Sequence, residues 1–196
     1  FQDKQLIFDD YYFSFIEENE FFTIFRENVN DVYGDTVGFR VHQMLSDLEM
    51  DKLKTLRSYL SSCYKLYIKI SKGEKTIGWL FGCQTDAESF TMMNSGILKE
   101  YRNQGIYSKI LQEVLEILKQ AGFQKVESQH QASNNQVIIP KLKAGFIITG
   151  LEMEDKVGMK VRLTCYLNEK RRDTLKFRIG SKKLKKEFES YLTLWE

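Results

Sequence analysis

Two hydrophobic periodicities divide the chain. Apolar residues recur at helical spacing over residues 19–33, where Phe21, Phe25, Val29 and Val32 share a face and Gly34 supplies a stop. A second helix is expected from residue 46 to about residue 62. Ser46 followed by Glu49 is a capping-box pair, and Leu48, Leu53, Leu56 and Leu60 form a stripe expected to be buried. The pattern then changes. Residues 64–71, 76–84 and 89–98 are rich in aromatic and β-branched side chains, punctuated by Lys72-Gly73-Glu74-Lys75 and Thr85-Asp86-Ala87. They read as three consecutive antiparallel strands. Helical spacing returns over residues 104–121, with Ile106, Ile110, Val114, Ile117 and Ala121 on one face and Gly122 at the end. A strand over 124–131, a short helix from Asn134, and a hairpin of 146–151 and 159–167 turning near Lys156-Val157-Gly158 follow. Residues 173–196 carry Leu184, Phe188, Tyr191, Leu192 and Trp195, which suit an amphipathic C-terminal helix docking on the body or on a second subunit.

This order predicts a mixed α/β fold with a single sheet and helices packed on it, and excludes a doubly wound βαβα arrangement. At 196 residues the chain is expected to form one domain, with a helical segment over 1–62 ahead of a core over 64–166. Composition narrows the setting. No apolar run approaches the roughly 20 residues of a membrane span. Residues 1–20 are acidic and aromatic rather than basic and then smoothly apolar, so no secretory leader is read there. Cys63, Cys83 and Cys165 are scattered, as reduced thiols of a cytoplasmic protein would be, and His42 and His130 have no nearby partners for a metal site.

The net charge of +2 hides an asymmetry: residues 1–50 hold eleven acids against three bases, and residues 170–186 hold nine bases against Asp173. Lys182-Lys183-Leu184-Lys185-Lys186 runs into Glu187 and Glu189, the pattern of a solvated helix face, so no nucleic-acid partner is expected.

The candidate chemistry lies where the third strand ends and the long helix begins. The first N–H groups of a helix lack internal partners and carry the positive end of its dipole, so they bind phosphate groups. Gly105 lets the backbone approach an anion closely. Arg102 either contacts that anion or holds the loop through its carbonyls, and Ser108 offers one more hydroxyl. Neither the Gly-Lys-Ser/Thr ending of a P-loop nor a three-glycine dinucleotide fingerprint is present, which argues against nucleoside triphosphates and NAD.

The stretch Ile97-Leu98-Lys99-Glu100-Tyr101-Arg102-Asn103-Gln104-Gly105-Ile106 resembles the central motif of the GNAT N-acyltransferase superfamily, in which a strand ending Val-x-Pro-x-x-Arg is followed by x-x-Gly-x-Gly/Ala. Asn134, Lys143, Gly145 and Phe146 match that family's second segment, Asn-(x)8-Lys-x-Gly-Phe. The resemblance runs over about residues 64–166. It implies a mostly antiparallel sheet with splayed central strands, acetyl-CoA or another acyl-CoA as co-substrate, no metal, and direct acyl transfer to an amine of a small molecule or peptide. Backbone amides of Asn103, Gln104, Gly105, Ile106 and Tyr107 would hold the pyrophosphate. Ile97 and Lys99, with Leu98 between them, would pair with pantetheine, an amide near Ile97 would polarise the thioester, and Asn134 would contact the pantetheine arm. The N-terminal helices and the last hairpin would line the acceptor site; most of Tyr11, Tyr12, Phe13, Phe21, Phe22 and Phe25 are expected simply to be buried, some could form walls, and the surrounding acids would favour a cationic amine.

Three positions depart from the family pattern. Lys99 replaces proline, and Tyr107 replaces a small residue beside the phosphates. Lys141, directly after Pro140, stands where many relatives carry a tyrosine acid. The third strand offers Thr91, Asn94 and Ser95 but no carboxylate base. Lys141 and His130 are therefore the candidate catalytic residues, with Glu127 and Tyr166 behind them. A catalytically silent acyl-CoA-binding module is the alternative reading.

Overall fold

The computed structural model describes residues 4–34, 41–181, 183 and 186. Eight strands form one sheet in the order β1-β2-β3-β4-β5-β6-β8-β7, antiparallel throughout except where β5 meets β6. The strands are β1 (Gln5–Phe8), β2 (Tyr11–Phe15), β3 (Lys65–Lys72), β4 (Lys75–Gln84), β5 (Ser89–Ile97), β6 (Lys125–Gln131), β7 (Ile147–Glu154) and β8 (Gly158–Tyr166). The helices are α1 (Glu18–Tyr33), α2 (Asp47–Ser58), α3 (Ile106–Gln120), α4 (Asn135–Lys143) and α5 (Glu169–Arg178).

Alternation along β3 and β4 sorts side chains to two helical layers. On one face Tyr67 and Trp79 meet Phe21 and Ile24 of α1. On the other, Ile68, Ile70 and Leu80 meet Ile106, Ile110, Leu111, Val114 and Leu118, the stripe that gives α3 its buried side. Being covered on both faces is why β4 reads as a nearly continuous apolar run over residues 77–83.

The N-terminal segment differs from expectation. Residues 5–15 form the β1–β2 hairpin, which extends the sheet antiparallel to β3 rather than contributing helix. Its turn places Asp9 at φ +46°. Tyr11 and Phe13 are two apart and both point into the α3-side core, so most of the aromatics in this segment are packing residues. The capping box of α2 forms, with Ser46 and Glu49 bonding each other's backbone N–H. Its leucine stripe is not buried: Leu48, Leu56 and Leu60 are 61–66% exposed and only Leu53 is partly covered. The reason is that α1 already occupies that face of the sheet, through Phe21 and Ile24. At the C-terminus, helix begins earlier than expected, at Glu169, capped by the Asn168 side chain, and ends before Gly180 at φ +73°. Leu184, Phe188, Tyr191, Leu192 and Trp195 lie outside the described residues.

The feature that creates a site is the divergence of β5 from β6. They pair for only three positions, Ser89 with Lys125, Phe90 with Val126 and Thr91 with Glu127. Just beyond, β5 carries a bulge: Phe81 faces Asn94 while Gly82 faces Met92, so Met93 is the extra residue. A bulge bends and twists its strand. Residues 92–97 then bond only to β4 and residues 128–131 only to β8, leaving a V-shaped gap in the middle of the sheet.

Candidate active site in the strand gap

The backbone of β5 faces the gap with free polar groups. Leu98 donates its N–H to Ile77, so residues 98 and 77 are a hydrogen-bonded pair of the ladder. In an antiparallel ladder such pairs alternate with pairs whose peptide groups turn outward. Ile97 opposite Gly78 and Ser95 opposite Leu80 are outward pairs, so their N–H and C=O groups point away from β4 and into the gap. Both carbonyls are already engaged. The Arg102 Nε donates to the Ile97 carbonyl at 2.9 Å, and the Tyr33 hydroxyl donates to the Ser95 carbonyl at 2.5 Å. The two amides therefore remain as donors lining the gap.

At the open end of β5 the chain makes the turn that starts α3. Gly105 is the N-cap at φ +78°, Asn103 is also left-handed at φ +62°, and no side chain caps the helix. The first-turn amides are thus left for an external acceptor. A Cβ on Gly105 would meet nothing within 4 Å, so the backbone there is open to an approaching group. Of the two roles read for Arg102, the structure shows the structural one: besides Ile97 it bonds the Val32 carbonyl at 3.2 Å, tying the end of α1 to the end of β5. Gln104 accepts from Tyr11 at 2.6 Å and donates to the Glu100 carbonyl, which anchors the loop to the N-terminal hairpin. Lys99 donates its backbone N–H to Asp31 at 3.0 Å. Ile106 is buried beneath the turn, Ser108 is exposed, and Leu98 packs beside the α1 layer. Tyr107 turns its ring inward against the core, so its bulk does not occupy the loop's outer surface.

Across the gap, β6 presents Ser128 and His130, and Asn134 sits at the start of α4 as an N-cap residue with no side-chain capping bond. Lys141, one α-helical face later, is only 1% exposed. Its Nζ lies 3.5 Å from Met92 Sδ and 5.2 Å above the Phe146 ring, bridging α4 to β5 at the bottom of the V. Burial with no acid partner pulls its pKa from 10.5 down to about 7. His130 contacts the Ser128 hydroxyl at 3.2 Å, and burial, then the Lys141 charge, lower its pKa to about 3. Glu127 stands at the last position where β6 pairs with β5, and Tyr166 pairs with Lys125 at the closed end, stacked by Arg171. A cleft of about 450 Å³ between Glu18 and Tyr64 also lies at that closed end, remote from the loop.

Sequence reasoning missed Tyr33, and named Asn94 only as a polar residue of the third strand without a role. Tyr33 continues the Phe25–Val29 row at i+4, so its burial was legible, but its bond to Ser95 was not. Asn94 accepts from Trp79 Nε1 at 2.6 Å and from Tyr33, fixing the bulged strand against α1. The acids of α1 are largely spoken for: Glu18 pairs with Lys65, Glu20 with Lys69, and Asp31 with the Lys99 amide. Among the described residues no helix is long and apolar enough to cross a membrane, and no cluster of three or more His, Cys, Asp or Glu side chains could hold a metal ion.

Comparison with known proteins agrees with this architecture. No curated protein sequence matches the chain. The chain resembles the ribosomal-protein-S5-alanine acetyltransferase of Vibrio fischeri at a TM-score of 0.63 and 14% identity, over 85% of this chain and 98% of that one. It resembles RimL, a ribosomal L7/L12 alpha-N-protein acetyltransferase in complex with coenzyme A, at 0.62 and 10% identity, over 84% and 98%. A spermidine N-acetyltransferase chimera from Vibrio cholerae and hSSAT is similar at 0.58 and 12% identity, over 82% and 98%. At these identities the likeness speaks for the fold. The sequence itself matches the model of the acetyltransferase (GNAT) family over residues 39–146, a span that contains the α3 loop, the strand gap and Lys141. The chain belongs to the GNAT acetyltransferase family, whose co-substrate is acyl-CoA.

Proposed function

We propose that this protein transfers an acyl group, most simply acetyl, from acyl-CoA directly to an amine of a small molecule or peptide. The observation that carries this reading is the alignment of two donor sets along one path: the uncapped first turn of α3, then the gap-facing amides of Ile97 and Ser95. In the proposal the amides of residues 103–107 hold the pyrophosphate, and Ser108 and Asn134 flank the path of the pantetheine arm. The Ile97 and Ser95 amides bond the arm and the thioester carbonyl, where negative charge develops as the amine attacks. Holding the two reactants in the V supplies proximity.

The acceptor nitrogen bonds to the carbonyl carbon, the carbon–sulfur bond breaks, and the thiolate needs a proton. Lys141, with a pKa near 7, is protonated in about half of the molecules at neutral pH and is the proposed donor. His130, held neutral by its low pKa, is a weak proton acceptor; in this scheme it orients Ser128, and water takes the proton lost by the amine. Because Glu18, Glu20 and Asp31 of α1 are already paired, none of these three is assigned the acceptor's charge preference.

The test is thiol release from acetyl-CoA across a panel of polyamines, amino sugars and peptide N-termini. Amine-dependent release supports the reading. Thermal stabilisation by CoA with no release by any amine points instead to a silent acyl-CoA-binding module, and absence of both sinks the two readings together.

A further inference from the structure

The Tyr107 hydroxyl is a buried donor without an acceptor. Its ring, in the first turn of α3, packs into the core between that helix and the sheet, and the Oη atom is sealed from solvent with no hydrogen-bond partner. Its neighbours are the Ser95 side chain, which approaches without completing a hydrogen bond, and the Tyr33 phenol. The Tyr33 hydroxyl donates to the Ser95 carbonyl and makes no hydrogen bond with Tyr107 either. Burial pushes the Tyr107 phenol well above its ordinary range, so it stays protonated and remains a donor. Phenylalanine would fill the same space without stranding a polar atom, so in the free protein the hydroxyl is a net cost. A buried polar atom left unpaired in this way calls for a partner that arrives from outside.

Its position says which partner. Ser95 lies on the unpaired length of β5, and its N–H points into the gap. The groups nearest the Tyr107 hydroxyl, the Ser95 side chain and the Tyr33 phenol, both belong to or touch that stretch of β5. We infer that Tyr107 Oη donates a hydrogen bond to the carbonyl oxygen of the acyl thioester, acting with the Ser95 amide as a two-donor pocket for the developing oxyanion. This rests on the acyltransferase reading above and adds to it a side-chain catalytic residue. No proton is transferred: the hydroxyl stays protonated and strengthens its bond as charge accumulates on the oxygen.

Tyr107→Phe separates this role from packing. Steady-state kinetics with acetyl-CoA and an accepted amine should show kcat reduced about 100- to 1,000-fold, as for loss of one oxyanion donor, while KM for acetyl-CoA changes little. Unliganded Tyr107→Phe should melt higher than the wild type, since the stranded hydroxyl is gone. Free CoA lacks the carbonyl and should stabilise both proteins equally, whereas the extra stabilisation by acetyl-CoA over CoA should shrink in the variant. An unchanged kcat, a lower melting point of the free variant, or equal losses with CoA and acetyl-CoA would overturn the assignment. A wild type that neither binds CoA nor releases it from acetyl-CoA overturns the underlying reading too, which distinguishes the two failures.

Discussion

Replacing Lys141 by methionine removes an ammonium group from the bottom of the strand gap while keeping an unbranched, flexible side chain in its place. In the wild type the amine is 1% exposed, and its surroundings include Met92 Sδ and the Phe146 ring rather than a carboxylate. Its pKa falls from 10.5 to about 7, and at about 1.4 kcal/mol per pH unit the charged folded form is disfavoured by about 5 kcal/mol. The cation–π contact with Phe146 offsets about 1–2 kcal/mol of such a penalty, too little to cancel it. The sign follows from proton counting. Below about pH 7 both folded and unfolded chains hold the proton, and the whole penalty is present. Between about 7 and 10.5 the unfolded chain holds a proton that the folded one has released, so stability rises with pH by about 1.4 kcal/mol per unit. Above 10.5 the penalty is gone. Urea denaturation of the wild type and Lys141→Met at pH 6, 7, 8 and 9 should therefore show the variant more stable at pH 6. Its advantage should narrow by about 3 kcal/mol by pH 9. A gap that stays constant across this range, or a variant less stable at pH 6, would refute the argument that burial alone sets the state of this lysine.

Four further outcomes follow from particular contacts. Arg102→Lys cannot reach the Ile97 and Val32 carbonyls together, and should lose about 2–3 kcal/mol of stability in urea denaturation. Gly105→Asp combines a strained left-handed residue, costing about 1–2 kcal/mol, with a carboxylate at the open helix end, so the thermal shift induced by CoA should vanish while the protein still folds. At Gly96 a Cβ would sit 2.8 Å from Trp79 Cζ2 and 3.0 Å from Val32 Cγ1, so Gly96→Ala should destabilise by about 1–3 kcal/mol, read as a lowered Tm. His130 should remain neutral by NMR at pH 5, because its pKa is about 3; stability should fall as pH drops from 6.5 toward 3, where only the unfolded histidine takes up a proton, and His130→Asn should flatten that limb.

Local pattern was enough for much of this molecule. The helical stripe of α3, the three aromatic and β-branched strands before it, the capping box of α2 and the glycine that opens the α3 loop are each decided within a few residues of chain, by side-chain period and backbone sterics. The two matched motifs likewise picked out the loop and Asn134 as candidates for one ligand-binding region. Where local pattern misled, a distant surface was deciding. The leucines of α2 have a helix's amphipathic period but no sheet face to cover, because α1 took it. The aromatics of residues 11–15 were legible as mostly buried, but which of them turn inward, Tyr11 and Phe13, was set only by the register of their pairing with β3.

The chemistry of the site depends still more on tertiary structure. Nothing near Ser95 in the chain indicates that its amide faces a gap; that follows from the phase of the β4–β5 ladder and from β6 diverging beyond the Met93 bulge. Lys141 and His130 carry ordinary side chains whose proton affinities are set by the elements that enclose them. The sequence alone determined which residues and elements could take part, since propensity and periodicity act over short stretches. Which polar groups were left buried, paired or unpaired was decided only when residues far apart in the chain, such as Val32 and Arg102 at seventy positions or Tyr11 and Gln104 at 93, were brought together, because desolvation and hydrogen bonding depend on neighbours in space.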